Sequence, residues 1–164
     1  LAGKQLLDIL EPLLPQGLTV NYFNDRSVPR HVTDAKEMIE RGAVAWFDPN
    51  TNQINVLDTQ SVNHKVTPET LLHELLHAGL RRANDMLADD KGTPEMQAAV
   101  KRLEMLRKEV MEAMNDAQRD RFKNAVTDVD ELISWGMTNR EFQNFLMKTP
   151  VSRGKRTITS MFKD

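Results

Sequence analysis

The chain has 164 residues, 40% of them hydrophobic, which is enough for one enclosed core and too few for two independent ones, so a single domain over 1–164 is expected. Lys and Arg number 22 against 24 for Asp and Glu, and the net charge of −2 offers no basic field to a phosphate backbone, so nucleic acid is not an expected partner. With no cysteine, disulfides, thiolate metal sites and cysteine nucleophiles are all excluded, leaving histidine and carboxylate as the strong metal-binding side chains.

No apolar run approaches the roughly 20 residues that span a bilayer, and the N-terminus lacks the features of a signal peptide. The expectation is a soluble, cytoplasmic protein with no membrane partner. The start at Leu1 and the stretch Ser152–Asp164, with Arg153, Lys155, Arg156 and Lys163, read as a domain cut from a longer protein.

From Lys4 to Leu14, Leu6, Leu7, Leu10, Leu13 and Leu14 recur at the spacing of a one-sided helix, ended by Pro15 and Gly17. Leu18–Phe23 alternates and suits a half-buried strand. Val28–Arg41 is ambiguous, with a short helix around Ala35–Glu40. Ala43–Phe47, Asp48–Asn52 and Gln53–Leu57 read as strand, turn and strand, because Pro and Asn punctuate two β-prone runs.

Thr67 can cap a helix with Pro68 at its first position and Glu69 in its first turn, running to about Leu87. A second helix opens at Thr93-Pro94-Glu95 and lines up Met96, Val100, Leu103, Leu106 or the stem of Arg107, Val110 and Met114. A third spans about Asp128 to Met137, and Thr138-Asn-Arg-Glu141 reads as a capping box ahead of a fourth. Met38, Met86, Met96, Met105, Met111 and Met114 are expected to fill cores. The order predicts an α+β protein, with a small antiparallel sheet covered on one side and a helical C-terminal half.

His73-Glu74-Leu75-Leu76-His77 is the central motif. Residues four apart on a helix stand about 40° apart in projection and roughly 6 Å in rise, so two imidazoles can reach one ion. Glu74 lies about 60° beyond His77, beside that ion without being a ligand. Leu71, Leu75, Ala78 and Gly79 fall toward the opposite side, where a core belongs. Zinc with three protein ligands lowers the pKa of a water toward about 7, and Glu74 would take the proton during attack on a carbonyl. The competing explanation is a chance pair of surface histidines.

A third ligand is needed, and no histidine follows His77. His31 and His64 lie upstream and read as solvated. Among downstream acids, Glu131 is set against the apolar run Leu132-Ile-Ser-Trp135, where a carboxylate needs a partner. Its alternative role is local, because Asp128-x-x-Glu131 and Thr127-x-x-Asp130 both resemble helix-capping pairs.

Leu72-His-Glu-Leu-Leu-His-Ala78 and Asp130-Glu-Leu-Ile-Ser134 resemble the two motif regions of gluzincins, metallopeptidases in which HExxH is joined by a glutamate from a later helix. The resemblance implies a zincin-like fold, His73, His77 and Glu131 as zinc ligands, Glu74 as general base and Asp130 as a partner orienting a ligand histidine. It also implies that the strand around Ile54–Leu57, with Ile54, Asn55 and Val56, borders a cleft for a protein or peptide substrate. Glu131–Phe145, including Trp135-Gly-Met-Thr-Asn-Arg-Glu-Phe-Gln143, is similar to compact zincin domains of phage and mobile-element polyproteins, which makes delivery within a larger phage protein an alternative to a free cytoplasmic enzyme.

Two departures stand out. Trp135 occupies the position of the acid found four residues after the third ligand in thermolysin-like enzymes. No Tyr or His follows Glu131, which leaves Arg140 as a candidate for stabilising an oxyanion. The expected function is a zinc peptidase. The alternative is a zincin-fold interaction module without turnover, and a third reading is a dedicated regulator that cuts a single repressor.

Overall fold

The turn at Asp48–Asn52 organises the N-terminal half. In the computed structural model, which describes residues 7, 8, 10–24, 26–58, 66–88 and 92–149, Asp48 accepts from Asn50 N (2.9 Å) and Thr51 Oγ1 (2.7 Å), and Asn52 takes φ 52°. Asn tolerates that left-handed conformation because its short polar side chain bonds locally. The turn joins β2 (Ala45–Asp48) to β3 (Gln53–Asp58) as an antiparallel pair.

β1 (Thr19–Asn24) pairs with β3 in parallel, giving the order β1-β3-β2. The sheet is therefore mixed, which corrects the antiparallel expectation. The helix α1 (Ala35–Glu40) lies between β1 and the hairpin, and this crossover returns the chain so that β3 runs alongside β1 in the same direction. Asn21 Nδ2 donates to Gln53 Oε1 and Asn55 Oδ1, both at 3.0 Å. A one-residue slip of β1 would turn Asn21 to the other face, so this amide ladder pins the register.

The chain divides between Arg82 and Ala83, inside helix α2 (Pro68–Ala88), into two compact units. In the first, one sheet face packs Phe23, Trp46 and Leu57 with Val32 and Ala35. Trp46 keeps its indole N–H satisfied by donating to Asp34 Oδ2 at 2.8 Å. On the other face Ala45, Ile54 and Val56 meet Val66, Leu71 and Leu75, so the apolar side of α2 covers the sheet as its spacing predicts. Thr67 caps α2 through Oγ1, which accepts from Thr70 N at 3.2 Å. At Gly79 an added Cβ would meet Leu10 Cδ2 at 3.4 Å and Leu13 Cβ at 3.6 Å, so the chain before β1 approaches the helix closely there. The helix expected from Lys4 lies partly outside the described residues; within them a 3-10 turn at Glu11–Leu13 carries Pro12. His64 and Ser152–Asp164 lie outside them altogether.

The second unit is helical: α3 (Pro94–Ala113), α4 (Asp116–Arg121), a 3-10 turn at Asn124–Val126, α5 (Val129–Thr138) and α6 (Arg140–Lys148). Leu106, Val110, Met114, Phe122, Ala125, Val126, Leu132, Phe142 and Leu146 form its core. Of the two alternatives Leu106 and Arg107, Leu106 is buried in α3, and Arg107 Nη1 instead donates to Val126 O (2.9 Å) and Thr127 O (3.3 Å). Met114 is buried as expected, whereas Met105 and Met111 are exposed, because they stand on the outer side of α3. The helix α4 was not anticipated, although Asn115 and Gln118 form a reciprocal capping box that the sequence spells out. The cap of α6 is Asn139, accepting from Phe142 N at 2.9 Å, and not Thr138. Thr138 is still in the last turn of α5, where its hydroxyl donates to Ser134 O at 2.6 Å.

Two predictions follow from this packing. Ser134 is fully buried in α5 and its hydroxyl has no hydrogen-bond partner among the described residues. Ser134→Ala should stabilise the fold by about 0.5–1 kcal/mol, read as a higher denaturation midpoint with unchanged m-value. Glu95 in the first turn of α3 has its pKa held below the ordinary carboxylate value, chiefly by its own backbone amide and then by Thr93, with desolvation opposing. A depressed folded pKa stabilises above the unfolded value and is lost as pH falls through the folded one. In a carboxyl NMR titration, Thr93→Ala should raise the Glu95 pKa part of the way back, the amide contribution persisting.

Candidate metal centre

Because α2 turns its apolar side to the sheet, the side bearing His73 and His77 is left to build a site. Their Nε2 atoms are 3.0 Å apart, with ring centroids at 4.7 Å and planes at 75°. Two imidazole nitrogens this close share either a proton or a cation. Both bound to one tetrahedral zinc at the usual bond length, they would stand about 3.3 Å apart, so only a small adjustment separates the two cases.

Glu74 is buried at 8% exposure, and its Oε2 accepts from Phe47 N at 2.9 Å. The β2–β3 ladder explains that bond. Leu57 N donates to Val44 O, and antiparallel bonding alternates, so Ala45 and Phe47 point their amides away from β3 at the free edge of β2. Among the described residues, the carboxylate of Glu74 is thus tied to the hairpin edge that carries no further strand. A backbone donor leaves no signature in sequence, which is why Phe47 was not anticipated.

Glu131 opens α5. Its backbone N–H donates to Asp128 Oδ1 at 2.9 Å, making Asp128 the cap and Glu131 the capped residue. The two readings of this acid are therefore not exclusive, since the cap engages its amide and leaves its carboxylate to another task. One ligand atom from each of His73, His77 and Glu131 lies within 4.8 Å of the other two, close enough to hold a metal ion. The donor set of two imidazoles and one carboxylate is of the kind zinc accepts in catalytic sites, and the residues present fit such an ion.

Asp130 Oδ2 accepts from Asn84 Nδ2 at 2.6 Å. Arg140 is exposed at the start of α6, and Tyr22 is exposed on β1. His31 is exposed, consistent with a solvated side chain. Ile54, Asn55 and Val56 are 1%, 1% and 2% exposed in the central strand, and both edges of that strand are bonded to neighbours. With both edges paired, the central strand has no edge left for a further strand. No helix among the described residues is long and apolar enough to cross a membrane. No known protein family, curated protein or solved structure matches this chain.

Proposed function

We propose that this chain is a zinc-dependent peptidase with a zincin-like fold, in which His73, His77 and Glu131 hold the ion and Glu74 is the general base. The observation that carries the reading is the convergence of three ligand atoms from these residues within 4.8 Å. HExxH places Glu74 on the next helical position after the first ligand, where a base belongs and a ligand does not.

Zinc, when bound, supplies a Lewis acid that polarises a carbonyl and activates water near neutral pH. Glu74 receives the proton at its carboxylate and passes it to the leaving amine. The Phe47 amide holds Glu74 Oε2 and so restricts the rotamers from which that transfer occurs. The outer edge of β2 offers backbone groups to an extended peptide, so affinity comes from main-chain pairing and selectivity from alternate side chains. Burial of Glu74 reduces competing hydration around the base.

Elemental analysis of the purified protein should find near one zinc per chain, lost in His73→Ala and in Glu131→Ala. Retention without Glu131 would assign the third ligand elsewhere. Glu74→Gln should keep zinc, since none of the three ligands changes, while peptide hydrolysis falls by about 10²–10⁴-fold. Wild-type protein that binds zinc yet cleaves no peptide, in a proteome-derived peptide library analysed by mass spectrometry, would favour an interaction module.

A further inference from the structure

The helix α2 continues unbroken past His77 to Asn84. From His73 to Asn84 is eleven residues, about 20° in projection, and from His77 it is seven residues, about −20°, so Asn84 stands on the stripe between the two histidines, roughly 10 Å beyond His77 along the axis. Asn84 Nδ2 donates to Asp130 Oδ2 at 2.6 Å, across 46 residues of sequence. Asp130 immediately precedes Glu131, in the first turn of α5.

We infer that Asn84 is a positioning residue for the metal centre, which anchors the first turn of α5 and thereby sets where the Glu131 carboxylate is presented. The inference rests on the assignment of Glu131 as a ligand. The Asp128 cap holds the Glu131 amide from within α5, and the Asn84 bond ties the side chain of its neighbour Asp130 to the same helix that carries His73 and His77. An amide donor to a charged carboxylate is a strong class of hydrogen bond. Supports of this kind orient a ligand without touching the ion, and their loss typically weakens metal affinity by about 10–100-fold.

Asn84 is exposed, so its replacement opens no cavity, and alanine is a better helix former than asparagine. The test is zinc affinity by competition with a chromophoric chelator, together with the melting temperature of metal-free protein and the visible spectrum of the cobalt(II)-loaded form. Asn84→Ala should bind zinc about tenfold more weakly, and Asn84→Asp, which sets like charges together, more weakly still. Metal-free melting temperatures should match wild type, and the cobalt spectra should shift toward that of Glu131→Ala. Wild-type affinity in both variants would overturn the positioning role while leaving the zinc site intact. Weakened binding accompanied by a matching fall in metal-free stability would overturn it too, by making Asn84 merely structural. A wild-type protein that binds no zinc would remove the underlying assignment, an outcome distinct from either.

Discussion

The arrangement turns on two imidazole nitrogens held 3.0 Å apart on one face of α2. Histidines four residues apart share one face of a helix, and the opposite face is committed to packing. Leu71 and Leu75 supply that commitment by covering Ala45, Ile54 and Val56. Burial of those side chains orients the helix about its axis, and the histidine stripe follows from geometry.

The sheet serves the site in a second way. Its polar inner row, Asn21, Gln53 and Asn55, links β1 to β3 through side-chain amides and fixes which residues of the hairpin face which layer. With β3 locked between two neighbours, β2 is, among the described residues, the strand of the hairpin without a second neighbour, and the amide of Phe47 on that edge meets Glu74. A buried carboxylate without such a donor would be costly. The bond satisfies Glu74 and at the same time aims it.

In the helical unit, aromatic packing supports the short helix α5 that bears Glu131. Phe122, Phe142 and Phe145 stack or tilt against one another at centroid distances of 5.2 to 6.0 Å, and Trp135 meets Phe142 edge-on. Trp135 follows Glu131 by four residues. It packs against the core of its own unit, so the support of α5 is apolar on this side and polar at the Asn84–Asp130 bond.

The sequence by itself determined the elements whose signals are local. HExxH at helical spacing, the Thr67-Pro68 start, the Pro and Asn turn of the hairpin and the apolar rows of α2 and α3 each depend on residues within a few positions of one another, and each is found where those residues lie. The spacing also singled out Glu131, but left open whether it caps or ligates, because both roles need an acid at a helix start. Tertiary structure assigns the cap to Asp128 and places a Glu131 carboxylate oxygen within 4.8 Å of ligand atoms of His73 and His77, so the capped position and a metal-ligating role are compatible. Only tertiary structure could decide that β1 runs parallel to β3, that β2 and not β3 offers the open edge, and that Asn84 meets Asp130. Strand order and partner choice between distant residues are set by how whole elements pack, and periodicity along one segment carries no information about which other segment it will meet.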